Sequence, residues 1–190
     1  MHQKEADTSL PDLNAGITSI AKPDSQKLYT GESNNHILNN ARRRQLFAAS
    51  FKPDALPADV PPPLQEPMAD YAAARHRDAL EGFEAADIDH TTRGMEEDAN
   101  TLVRFYIHYY KTQCMLAINH AARAIAELRM AMPESPTSFF SIKVSWYLAL
   151  AYLNDGDVKK AEQFLQQLAG NSAAGKYQHK AANLLKAIVQ

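Results

Sequence analysis

Residues Ile142 to Ala169, IKVSWYLALAYLNDGDVKKAEQFLQQLA, decide the fold. Val144, Tyr147, Leu148, Ala151 and Tyr152 recur at three- and four-residue spacing, so they line one face of a helix. Asn154-Asp155-Gly156-Asp157 breaks that helix. Glycine admits a left-handed C-cap, and the Asp157 carboxylate can accept from the free N–H groups that open the next helix. Ala161, Phe164, Leu165 and Leu168 give that second helix its apolar stripe, with charges and glutamines on the other face. The stretch therefore predicts a helical hairpin with more apolar surface than its two helices can bury, so it requires neighbours.

Those neighbours are visible in the sequence. Ala161, Leu165 and Leu168 follow an alanine, large apolar, small or apolar pattern at i, i+4 and i+7. Ala79, Phe83 and Ala86 repeat it upstream, as do Ala124, Leu128 and Ala131. Trp146, Leu148, Ala149 and Tyr152 supply a large residue, a leucine, a small residue and an aromatic on the first helix of the hairpin. Together these positions resemble the tetratricopeptide repeat (TPR) family, in its short bacterial-type form, in which helix–turn–helix units of about 34 residues stack side by side. The leading alanines stand 45 and 37 residues apart, and the surplus falls in Asp87–Asp98 and Pro133–Ser138, where insertions lengthen loops and spare the packed faces. Two positions depart from the pattern: the tryptophan sits one place late, and Leu168 replaces a small residue.

The middle unit, with TLVRFYIHYYKTQCMLAI as its first helix, has Thr112 at the small position, Met115 at the aromatic one and Asn119 at the turn glycine. The first unit is truncated by the prolines before it and carries Ala74 in place of glycine. Lys176–Val189, with Tyr177, Ala181, Leu184, Leu185 and Ile188 on one face, is the capping helix that shields the last apolar surface. The expected fold class is all-α, an α-solenoid of antiparallel helix pairs, with about three repeats over residues 68–190.

Ahead of the repeats, residues 1–35 mix Pro, Ser, Asp, Asn, Gly and Lys without apolar periodicity and read as a disordered tail. Residues 36–51, HILNNARRRQLFAASF, predict a short amphipathic helix carrying the run Arg42-Arg43-Arg44. It either docks on a partner or a lipid surface, or packs loosely on the repeats with its arginines solvated. Six prolines between Lys52 and Pro67 make residues 52–67 a semi-rigid linker, read as a spacer between tail and array. Pro67 suits the first turn of the helix that follows.

The chain has 190 residues with a net charge of −2 and a pI near 6.4, which gives no electrostatic reason to expect nucleic acid. A single cysteine, Cys114, excludes an intramolecular disulfide framework. Met1-His2-Gln3-Lys4-Glu5 opens a polar stretch with no apolar signal region. Pro136–Leu153 is the most apolar segment, but Lys143 interrupts it and Asp155 and Asp157 close it, so repeat packing explains it better than a membrane span. The expected location is cytoplasmic, or the soluble part of a membrane-anchored protein.

Catalytic signatures are missing from the sequence. It contains no Gly-rich phosphate loop, no GxSxG elbow, no CxxC pair and no HExxH. The seven histidines form no i, i+4 pair and read as solvated surface residues. Cys114 falls mid-helix among packing positions and reads as a buried, inert thiol. Neither cofactor nor metal is expected, and the chain reads as no enzyme.

The resemblance implies a concave groove lined by the first helices, which takes extended peptides or other protein elements. Carried over position by position, it would hold Tyr106, Tyr109, Tyr110 and Gln113 from the middle unit, and Lys143, Trp146, Leu150 and Asn154 from the third. Tyrosine and tryptophan anchor interfaces well, yet the same residues would equally serve as packing against neighbouring helices or the N-terminal segment. Lys143 and Asn154 are nearly alone as polar donors, too few to clamp a peptide's terminal carboxylate. The expected function is a protein-binding adaptor or assembly factor. The rival readings are a membrane-associated accessory protein, anchored outside this chain or through the arginine-rich helix, and a helical metalloenzyme.

Overall fold

The computed structural model describes residues 38–88 and 97–190. The expected disordered tail, the start of residues 36–51, His90 and most of the Asp87–Asp98 insertion lie outside the described residues.

Helix α1 runs over Asn40–Ser50, its N-terminus capped by Asn39, whose Oδ1 accepts from the Arg42 N–H at 2.8 Å. It stops at Phe51 in extended conformation, two residues ahead of Pro53, which disfavours helical geometry at Lys52. An extended strap follows, and a short 3-10 turn at Pro62–Leu64 leads into α2, Gln65–Ala72. The remaining helices are α3 (His76–Ile88), α4 (Glu97–Ala117), α5 (Ala121–Ala131), α6 (Ser138–Asp155), α7 (Val158–Gly170) and α8 (Lys176–Val189). No strand occurs among the described residues. From α2 to α8 each helix packs against the next in order, and α1 returns to lie against α6 and α8.

The hairpin that decides the fold forms as its sequence dictates. Gly156 closes α6 at φ 106°, and Asp157 caps α7 by accepting from the Lys160 N–H at 3.1 Å. Gly156 also makes room, since a Cβ there would lie 2.6 Å from Arg43 Nη1. The arginine run of α1 is thus partly committed to packing: Arg44 is exposed, whereas Arg43 is half-buried over the α6–α7 turn. Asn119 and Ala74, standing where glycine was expected, both adopt positive φ, at 65° and 57°. Asparagine tolerates that region, whereas alanine there costs on the order of 1 kcal/mol.

The triplets face the core. Ala79, Phe83, Ala124, Leu128, Ala131, Ala161 and Leu165 are wholly buried, with Leu168 nearly so and Ala86 half-buried. Tyr177, Ala181, Leu184 and Ile188 of α8 are buried as the closing layer. The helical domain starts slightly earlier than residue 68: Leu64 and Met68 are both core, and Pro67 fits the first turn of α2. Gly82 on α3 lets the two helices close up there, because a Cβ would meet Pro67 Cβ at 2.9 Å. No helix among the described residues is long and apolar enough to cross a membrane.

Candidate binding groove and the strap lying in it

Four tyrosines and a lysine, drawn from α2, α4 and α6, converge on one face. Tyr71 of α2 meets Tyr110 of α4 edge to face at 5.1 Å, and Tyr109 of α4 meets Tyr147 of α6 at 6.0 Å. Lys143 stands one turn before Tyr147 on α6, so the two share a side of that helix. Such rings bury a large apolar area, yet each phenol still requires an acceptor. Their own helices supply none, because helical carbonyls are already engaged.

The strap supplies the acceptors. Tyr147 donates to the Lys52 carbonyl at 2.9 Å, Tyr71 to the Asp54 carbonyl at 2.7 Å, and Tyr110 to the Ala55 carbonyl at 2.8 Å. Tyr109 donates to Asp54 Oδ2 at 2.9 Å, and Lys143 Nζ reaches the same oxygen at 2.5 Å. Three bonds thus read the backbone of an extended segment and two read one carboxylate. Phe51, Leu56 and Val60 pack inward, Phe51 touching Tyr147 edge-on at 6.3 Å, while Lys52, Pro53 and Ala55 face solvent. Of residues 52–67, the stretch up to Pro61 is free of helix, as its prolines favour, and part of it is docked rather than standing clear as a spacer; Pro62–Leu64 form the 3-10 turn and α2 begins at Gln65.

Burial pushes the phenols of Tyr71, Tyr109, Tyr110 and Tyr147 well above their ordinary value, and the Asp54 charge adds to it. All four stay protonated donors at neutral pH. The Asp54 and Lys143 side chains are 15% and 12% exposed, so their ion pair is shielded from water and salt far better than a surface pair. The Lys143 ammonium also lies over the Phe139 and Phe140 rings, at 4.7 and 5.2 Å from their centroids.

The residues expected to line a groove are only partly brought together. Tyr109, Tyr110 and Lys143 meet on the strap, and Tyr106 packs beside them against Phe105, Tyr110 and Phe140. Gln113 is wholly buried, and neither of its amide atoms finds a partner among the described residues. Trp146 lies elsewhere, against Tyr177 of α8 and under Lys180, on the wall of a cavity of about 440 Å³ also lined by Leu46 of α1 and Lys52 of the strap. Leu150 is wholly buried core, and Asn154 donates to Asn119 Oδ1 at 3.0 Å, tying two inter-helix turns together. Sequence reasoning left out Asp54, Tyr71 and Tyr147 as site residues. The signal was present: several tyrosines on neighbouring buried helix faces demand acceptors, and a Pro-flanked aspartate with its free backbone is the nearest supply.

A second polar cluster ties α3, α4 and α5 together. His108 Nδ1 lies 2.7 Å from Glu127 Oε2, and Lys111 Nζ lies 3.1 Å from Glu127 Oε1 and 2.9 Å from Asp87 Oδ2. His108 is therefore not the solvated histidine expected: it is 4% exposed and held by a carboxylate. Burial would raise the Glu127 carboxyl, but His108 and Lys111 outweigh it and hold it below the ordinary range. Among the described residues no group of His, Cys, Asp and Glu side chains is arranged to hold a metal. Cys114 is wholly buried, and burial pushes its thiol up to about 12, which leaves it unreactive in the closed fold.

The chain matches no protein-family model, and searches of the curated proteins and of the solved structures find no match either.

Proposed function

We propose that this chain is a non-enzymatic protein-binding module, an adaptor or assembly factor, whose TPR-like pairs α2/α3, α4/α5 and α6/α7 are capped by α8 and take an extended peptide along their first helices. One observation carries the reading. The tyrosine face already holds a stretch of extended backbone through phenol-to-carbonyl bonds at Lys52, Asp54 and Ala55. Bonds to main-chain carbonyls suit any extended segment, and aromatic area with few rotors suits repeated use as an interface.

Selection of a random-peptide display library on the immobilised full chain tests it. Sequences enriched on the wild type should lose enrichment on a Tyr109→Phe/Tyr110→Phe variant, which keeps ring volume and removes two donors. Equal enrichment on both chains, or none on either, would sink the reading.

A further inference from the structure

We propose that residues 51–60 are a resident occupant of the groove, and that its exchangeable ligand is an extended acidic peptide whose carboxylate takes the place of Asp54 between Lys143 and Tyr109. This rests on reading the tyrosine face as a peptide groove and adds the ligand's chemistry. Four observations support it.

The first is how the strap is held. Its polar contacts to the face run through main-chain carbonyls and one carboxylate, which another extended chain can reproduce. Its inward apolar residues are few and only partly buried: Phe51, Leu56 and Val60. The second is charge. Lys143 is a cation on this face, and its ammonium is directed at the strap carboxylate. A neutral or basic ligand would leave that ammonium desolvated and unpaired, so an acidic residue is selected over others. The third is independence of the scaffold. The strap lies between two elements with contacts of their own, α1 on α6 and α8 and α2 on α3, so those helix pairings do not run through it. The fourth is Gln113, one turn beyond Tyr109 on α4, whose buried amide has no partner among the described residues. The helix that carries Tyr109 and Tyr110 therefore holds hydrogen-bonding capacity that no described residue uses.

A tethered occupant lowers the apparent affinity for any outside peptide by the fraction of time the groove is open. Weakening the strap should accordingly strengthen peptide binding, the opposite of what loss of a structural contact alone would do. The test uses the full chain and a fluorescent peptide copying residues 50–61, SFKPDALPADVP. In Asp54→Asn, hydrogen exchange across residues 52–60 should rise and the peptide should bind about tenfold or more tighter than to wild type. A peptide with asparagine replacing that aspartate should bind Asp54→Asn about tenfold or more weakly. A Lys143→Glu chain should reverse the preference, favouring a peptide with lysine at that place. If Asp54→Asn proves unfolded, excess peptide added to the wild type should raise exchange in residues 52–60, and unchanged exchange would overturn the proposal.

Other outcomes also decide. Equal binding of acidic and neutral peptides to the strap-loosened chain would remove the carboxylate specificity while leaving the groove reading intact. No binding by any peptide, together with an empty library selection, would remove both. A stable dimer by light scattering that the peptide cannot dissolve would make a second copy the occupant and overturn the proposal.

Discussion

The Asp54–Lys143 pair offers a quantitative test of how tightly the strap is held. At the 2.5 Å N–O separation, Coulomb attraction at an effective dielectric constant of about 20 is on the order of 6 kcal/mol. Desolvating the two ions takes back several kcal/mol, leaving a net coupling of about 1.5–3 kcal/mol, the usual range for a hydrogen bond between charged partners. Lys143→Met alone should cost more than that coupling, because among the described residues it leaves the Asp54 carboxylate with Tyr109 as its side-chain donor. Asp54→Asn alone should cost less, since the amide still accepts from Tyr109. The double variant should then fall short of the summed single losses by about 1.5–3 kcal/mol. Urea unfolding followed by circular dichroism measures all four chains. For a chain of this size, each kcal/mol should also appear as about 2–4 °C in Tm. Single losses that add to within about 0.5 kcal/mol would refute the reasoning, because they would show two independent residues rather than a latch.

Three further outcomes follow from other parts of the fold. Gly156→Ala should destabilise by at least about 1–2 kcal/mol from backbone strain at φ 106°; adding Arg43→Ala should recover the part due to crowding but not the part due to φ, as read from unfolding midpoints. Glu127→Gln should flatten the acid limb of the stability profile. The folded-state carboxyl sits below its ordinary value of 4.5, so its contribution is complete above that pH and is lost as pH falls through the folded value; an unchanged slope between the two chains below that pH would show the cluster to be inert. Gln113→Met should raise stability by about 1 kcal/mol by removing, at similar volume, two buried polar atoms that have no partner among the described residues, and a loss of that size would mean that buried water already serves the amide.

The helices and their buried faces were legible because their signal is local. Ala79/Phe83, Ala124/Leu128 and Ala161/Leu165 each lie one turn apart on a single helix, and helical period alone assigns their buried side. The Asn154–Asp157 turn was equally legible, since capping is decided within a few residues. The strap was not. Its contacts span 17 residues from Asp54 to Tyr71, 55 to Tyr109 and 89 to Lys143, and no periodicity encodes a pairing between an irregular segment and a helix face. The prolines announce an extended segment correctly but are silent on whether it floats or docks. His108 escaped for the same reason, its partner Glu127 lying 19 residues away on another helix. Trp146 stood open in the sequence, as a ligand anchor or as packing, and it lies against Tyr177 of α8.

Because α1 and α2 hold its two ends, the strap moves as a loop and never as a free tail. About ten residues reach no further than about 35 Å when fully stretched, so the segment stays beside its site at all times. A loop of that length closes on the order of 10–100 ns once its contacts are free to re-form. An outside peptide would therefore compete with a neighbour always within reach, which fits a face whose tyrosines need acceptors whichever segment supplies them.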